Sequence, residues 1–427
     1  MLLFGLLFLL LGAAIAAAEA PVGAAFAVPV VPNSNFQPNP LADLRRAHAR
    51  YGGRVIDKGP DDDLGRLDGT GSVAAVNQPF DREYLSPILV GSPGQQIWMD
   101  FDTGSADTWT YTTETPSAYL GEQSIYRPEK STSAAEVANT TCMPSSLAHL
   151  LRGTLLTVRL VGYITYGDGT YAAGSVYRDS LEIGGLKIHN GTVQSASHVS
   201  ADMISDPVMS GILGLCRNHS STTHPSQPTV FEALAGQLDR KLFGVDLRYR
   251  AAGSYDFGFV NASAYGGAEA DLEWRPLLPN DDFWTIHVEK IHVGGTNKWY
   301  KHAWPMVVDT GTTLLMLPRS LTKMYYDQVP SAAFDGYWGA WLYDCNATLP
   351  DWHFGFTKGW SHVVPGRLLE FQNVTATRCF GGIQNGLWGT DFGILGDVWF
   401  KNMYVVFDIE GERVGLAKKA LQGGSVA

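Results

Sequence analysis

Short runs of alternating apolar and polar residues, punctuated by glycine and proline, dominate the chain from about residue 80 onward. Tyr84-Leu85-Ser86-Pro87-Ile88-Leu89-Val90 and Gln96-Ile97-Trp98-Met99-Asp100-Phe101 read as strands joined through the turn Gly91-Ser92-Pro93-Gly94, a hairpin. Leu155 to Tyr166, rich in β-branched and aromatic residues, enters Gly167-Asp168-Gly169 and leaves from Tyr171, which predicts a second hairpin. Strand-like patterning continues to Met403-Tyr404-Val405-Val406-Phe407. Helical spacing is scarce: Val230, Phe231, Leu234 and Leu238 predict one short helix, and Leu321, Met324, Tyr325 and Val329, with Ser320 as N-cap, predict another. Many strands and few helices make the expected class all-β.

Two of the apolar runs end alike. Met99-Asp100-Phe101-Asp102-Thr103-Gly104-Ser105 is answered some two hundred residues later by Val307-Val308-Asp309-Thr310-Gly311-Thr312-Thr313, each delivering an Asp into a Thr-Gly turn. After each comes an apolar pair between glycines, Gly211-Ile212-Leu213-Gly214-Leu215 and Gly393-Ile394-Leu395-Gly396-Asp397. One Asp-Thr-Gly is a weak signal; the doubled plan predicts two like halves about a pseudo-twofold axis, with Asp102 and Asp309 brought together. Two carboxyls in one site do not both ionise easily, so one keeps a proton and the other is charged. Such a pair supplies the base and the acid that peptide hydrolysis needs without a metal or a protein nucleophile.

These motifs, together with Tyr166-Gly167-Asp168-Gly169, Cys379-Phe380-Gly381-Gly382-Ile383-Gln384 and Ile394-Leu395-Gly396-Asp397-Val398, resemble the pepsin-family aspartic endopeptidases, and most of all the fungal secreted branch of endothiapepsin, penicillopepsin and aspergillopepsin. The resemblance runs from about residue 80 to about residue 417. It implies a bilobal acid protease fold with an N-terminal lobe over 76–260 and a C-terminal lobe over 261–427. It makes Asp102 and Asp309 catalytic and Tyr166 the tyrosine of a flap closing over substrate, with Trp109 against it. Thr103 and Thr310 cross-brace the two turns, while Ser105 and Thr312 hold the outer carboxylate oxygens. Gly104, Gly167, Asp168, Gly311, Thr312 and Thr313 fall at positions that bind substrate backbone, and Asp168 can also accept a basic side chain. The chain departs from the family pattern at Ala106, Ser210 and Met316, in place of a Ser, an Asp and a pocket Tyr. The change at Ser210 puts the support of the first lobe in question, and that at Met316 the pocket preference.

The remaining features bear on processing and destination. Leu2 to Ala18 is almost purely apolar and ends in Ala16-Ala17-Ala18-Glu19-Ala20, which predicts a signal peptide over 1–20; the run also just reaches spanning length, so an uncleaved anchor is the alternative. Residues 21–75 shift to Pro, Ala and Asn, then to Arg45, Arg46, His48, Arg50, Arg54 and Lys58 before Asp61-Asp62-Asp63. That stretch reads as a solvated linker; the resemblance implies a propeptide, its cations pairing with carboxylates of an acidic cleft until these protonate. Six Asn-x-Ser/Thr sites begin at Asn139, Asn190, Asn218, Asn261, Asn346 and Asn373, in keeping with glycosylation of some in secretory transit. The four cysteines allow three pairings, and none lies in a Cys-x-x-Cys. The resemblance pairs Cys345 with Cys379; Cys142 and Cys216 then form a second bridge or remain two buried thiols.

The formal net charge of −11, from 31 Lys and Arg against 42 Asp and Glu, shows no basic stripe and argues against nucleic acid as a partner. Gly167-x-Gly169-x-x-Ala172 mimics a dinucleotide fingerprint but opens no helix. A Gly-x-Ser-x-Gly elbow and a His-Glu-x-x-His pair are both missing, and the eleven histidines show no ligand spacing. With these rivals removed, the resemblance implies a secreted, monomeric endopeptidase, made as a zymogen, with no cofactor and no metal. It would act at acidic pH on proteins and peptides, favouring hydrophobic residues around the scissile bond. The alternatives are a vacuolar destination and, for function, a catalytically silent pepsin-fold protein that binds peptides or partner proteins.

Overall fold

The computed structural model describes residues 25–32, 44, 84–137, 162–165, 171–199, 209–217, 229–295, 298–356, 359–386 and 392–420. The expected signal peptide, most of 21–75, Tyr166, Gly167, Asp168, Cys142, Asn139 and Asn218 lie outside them. Among the described residues strands dominate and form two large sheets, of 13 and 7 strands, with two smaller ones of 3 and 4. The architecture is two-lobed and all-β. No helix among the described residues is long and apolar enough to cross a membrane.

Alternation in the sequence becomes burial in the sheet. In strand Gln95–Asp102, Ile97, Met99 and Phe101 are fully buried on one face. The strand pairs with Tyr84–Val90 from Leu85↔Asp100 to Val90↔Gln95, the expected hairpin. Gly162–Thr165 pairs antiparallel with Tyr171–Gly174, from Gly162↔Gly174 to Thr165↔Tyr171, as the second hairpin predicts.

Three α-helices occur among the described residues. Val230–Ala235 begins with a capping box in which Thr229 and Glu232 satisfy each other's backbone N–H; it ends before Leu238. Arg319–Tyr326 starts after Pro318, whose ring fixes the entry angle, so Ser320 lies inside the first turn rather than at the N-cap. Asp397–Phe400 was not legible in the periodicity because it lasts one turn.

The two halves share one topology. Gln95–Asp102 runs parallel to Gly211–Gly214, which also pairs antiparallel with Thr108–Tyr111. Likewise Tyr300–Val308 runs parallel to Gly393–Leu395, which pairs antiparallel with Leu315–Leu317. Each apolar pair between glycines is thus the middle strand beside its own Asp-Thr-Gly turn.

The halves also share strands. Met403–Asp408 pairs with Leu242–Arg248, joining the end of the chain to the first half. Phe26–Pro32, from the predicted propeptide, is inserted between Ala251–Phe257 and Tyr84–Val90, with Val28 buried opposite Tyr255.

Cys345 and Cys379 are bridged across a separation of 34 residues. Bridges over loops of that size typically stabilise a domain by about 2–4 kcal/mol. Cys216 is buried and its Sγ donates to the Asp282 carbonyl at 3.2 Å. Of the described sequons, Asn190, Asn346 and Asn373 are exposed. Asn261 is half-buried, and its Oδ1 accepts the hydroxyl of its own sequon's Ser263 at 2.5 Å.

One packing histidine sets an acid limit. Burial pushes His362 down to about 4 from an ordinary 6.5, while its Nε2 lies 3.0 Å from the Asn402 carbonyl oxygen. The unfolded chain therefore binds this proton at higher pH than the folded one does. The histidine's contribution is fully present above pH 6.5 and is lost as pH falls toward about 4. Denaturant unfolding of His362→Gln should show a shallower decline over this range than the parent, by up to about 2–3 kcal/mol. Parallel declines in the two proteins would refute this.

Candidate active site

Asp102 and Asp309 stand at the ends of Gln95–Asp102 and just past Tyr300–Val308, and both are fully buried in the full-length chain. Each is held by its own turn in the same way. Gly104 N–H donates to Asp102 Oδ1 at 2.8 Å and Ser105 Oγ to Oδ2 at 2.5 Å. Gly311 N–H donates to Asp309 Oδ1 at 2.9 Å, and the Thr312 hydroxyl donates to Oδ2. Donation of this kind favours the ionised carboxyl.

The two turns are tied to each other by the threonines between. Thr103 N–H donates to Thr310 Oγ1 at 3.1 Å, and Thr310 N–H to Thr103 Oγ1 at 3.0 Å. Each hydroxyl then reaches the opposite strand: Thr103 Oγ1 donates to the Val308 carbonyl at 3.0 Å and Thr310 Oγ1 to that of Phe101 at 2.5 Å. The sequence separation of 207 residues is closed by a brace whose members are all buried. Asp102 and Asp309 thereby occupy adjoining loops.

Behind each turn lies a glycine strand. Leu215 N–H donates to the Asp102 carbonyl at 2.7 Å and Cys216 N–H to that of Ser105 at 2.9 Å. In the other half, Asp309 N–H donates to the Leu395 carbonyl at 3.1 Å, while Asp397 and Val398 donate to the carbonyls of Thr312 and Thr313 at 2.8 and 3.0 Å. A β-carbon on Gly214 would lie 2.4 Å from the carbonyl carbon of Ala106, and one on Gly396 would lie 2.2 Å from the Thr312 carbonyl oxygen. Only glycine lets these strands approach so closely.

Of the other expected residues, Trp109 is fully buried on Thr108–Tyr111, edge-on to Tyr111 at 5.5 Å. Its expected contact, Tyr166, lies outside the described residues, as do Gly167 and Asp168. Gly104 is buried; Gly311 and Thr313 are partly exposed. Ser210, where the family pattern has Asp, is integrated through Ser124: Ser124 N–H donates to Ser210 Oγ at 2.9 Å, and the two hydroxyls lie 2.9 Å apart. Its backbone N–H also donates to the Trp98 carbonyl at 2.9 Å, so the first lobe is supported at this point. Met316 is fully buried between Gln384 and Ile394 and packs in the core. Among the described residues, no group of three or more His, Cys, Asp or Glu is placed to hold a metal.

A duplicated β topology carrying two buried, identically held aspartates on braced turns defines a two-lobed aspartic protease. The chain belongs to the eukaryotic aspartyl protease family, whose model matches residues 83–146 and 154–419. It is 37% identical over 356 residues to aspergillopepsin-1 of Emericella nidulans, covering 82% of each chain. It is 36% identical over 358 residues to penicillopepsin-2 of Penicillium janthinellum, again covering 82% of each. Aspergillopepsin-1 of Aspergillus fumigatus is 33% identical over 414 residues, 92% of this chain and 95% of its own.

Proposed function

We propose that this chain is a secreted aspartic endopeptidase, made as a zymogen, in which Asp102 and Asp309 activate one water molecule between them to hydrolyse internal peptide bonds at acidic pH. The reciprocal Thr103–Thr310 brace carries this reading, because it sets two equally held carboxyls on adjoining turns. One carboxylate takes a proton from water as it attacks the carbonyl carbon; the protonated partner gives its proton to the carbonyl oxygen. Collapse of the tetrahedral intermediate then breaks the C–N bond as a carboxyl protonates the leaving amine. Tyr166, Gly167 and Asp168 would close over an extended substrate, with Trp109 behind the tyrosine. Gly104, Gly311 and Thr313 would meet its backbone from below.

Latency is supported by the strand Phe26–Pro32, which is built into the main sheet, and by the full burial of both aspartates in the full-length chain. The reading extends to release from the cell and to a preference for hydrophobic residues about the scissile bond. The test is cleavage of unstructured peptides by the full-length protein after acid incubation, with and without pepstatin, and sequencing of the products. Pepstatin-sensitive cuts at internal bonds are expected. Peptides left intact in acid, or cuts indifferent to pepstatin, would overturn the reading.

A further inference from the structure

We propose that Tyr255 is a positioning residue for the aspartate pair, fixing through the Phe101 carbonyl the backbone on which Asp102 stands. The inference rests on the aspartic protease reading above. Tyr255 Oη donates to the Phe101 carbonyl at 2.9 Å, and the residue after that carbonyl is Asp102. The same oxygen receives Thr310 Oγ1 at 2.5 Å, so both of its lone pairs are engaged, one from the brace and one from the phenol. In the other half the matching carbonyl, that of Val308, receives the Thr103 hydroxyl at 3.0 Å. The phenol is an addition on the Asp102 side, and it makes the environments of the two carboxyls unequal.

The phenol is itself immobile. Tyr255 is buried, its ring packs on that of Phe101 with centroids 4.9 Å apart, and its backbone is paired with Val245 of Leu242–Arg248, a strand that stays when the propeptide leaves. It is also a permanent donor. Burial, then the charge of Asp100, push its ionisation well above the ordinary 10; the Thr310 hydroxyl opposes this, and Asp397 and Asp102 add to it. The donor is therefore present at every pH at which the aspartates titrate.

Removing the hydroxyl leaves a buried carbonyl lone pair unmet and frees the Phe101–Asp102 peptide to tilt. The bonds from Gly104 N–H and Ser105 to the Asp102 carboxyl loosen with it. An anion with weaker donors protonates more readily, so the acid limb of activity moves to higher pH. KM, set chiefly by contacts along the rest of an extended substrate, stays put.

The experiment compares the activated parent, Tyr255→Phe, and Phe243→Leu, a core change in the neighbouring strand. Tyr255→Phe should lower kcat about tenfold at unchanged KM, with the acid limb of kcat/KM displaced upward. Phe243→Leu should lower Tm while leaving kcat and both limbs in place. At position 255, p-aminophenylalanine, which keeps ring and donor, should restore kcat, whereas p-fluorophenylalanine, which keeps ring and size alone, should not. The fluorinated residue also serves if Tyr255→Phe fails to fold. A Tyr255→Phe or p-fluorophenylalanine protein that loses Tm but keeps the parent's kcat and pH limbs would overturn the inference. A parent without pepstatin-sensitive cleavage would overturn instead the protease reading beneath it.

Discussion

Asn in place of Asp102 or of Asp309 is expected to lower kcat by about 10³- to 10⁴-fold while leaving the fold intact. The amide oxygen can still accept Gly104 N–H or Gly311 N–H, bonds that are 2.8 and 2.9 Å long in the parent. The amide nitrogen then faces Ser105 or Thr312, whose hydroxyls can turn and accept instead of donating. Local structure survives on these terms, but an amide neither takes a proton from water nor gives one to a carbonyl oxygen. Because the carboxyls act as one unit, the double variant should be no slower than the worse single one. Steady-state cleavage of a peptide, beside Tm for each variant, checks both halves of the prediction. Either single variant keeping a tenth of the parent's kcat would remove that Asp from the reaction.

What was legible in the sequence was what is local or repeated. The hairpin of Tyr84–Val90 and Gln95–Asp102 could be read because its turn and its alternation lie within one stretch. The two aspartate turns could be read because the second copies the first. Pairings between distant segments left no mark. Nothing in Met403–Asp408 names Leu242–Arg248 as its neighbour, and nothing in Phe26–Pro32 announces a place beside Ala251–Phe257. In the same way, Ser210 read as a loss, since its partner Ser124 is 86 residues away. Tyr255 carried no signal in the sequence, because its partner carbonyl is 154 residues off. Ser320 was misplaced by a rival local rule, the preference for a fixed φ at Pro318 over a hydroxyl cap.

The glycines behind the turns carry the second large effect. Gly214→Ala would set its β-carbon 2.4 Å from the Ala106 carbonyl carbon and 2.7 Å from Asp107 N. Gly396→Ala would set its own 2.2 and 2.3 Å from the carbonyl oxygens of Thr312 and Leu314. These neighbours are backbone in the segments that hold the carboxyls, so no rotamer change relieves the contact. Either the strand leaves, breaking bonds such as Leu215 N–H to the Asp102 carbonyl at 2.7 Å, or the aspartate loop moves. The expected result for each variant is a loss of about 3 kcal/mol or more in stability. In whatever still folds, kcat should fall about 100-fold, the effect of a carboxyl displaced by roughly 1 Å. Gly236→Ala is the matched control: its φ of −70° suits any residue, and a β-carbon there meets nothing within 4 Å. Calorimetry and kcat on the three variants separate the cases. If Gly396→Ala unfolds at the same temperature as Gly236→Ala and cleaves as fast, then the close approach of the glycine strand does not hold the carboxyl in place.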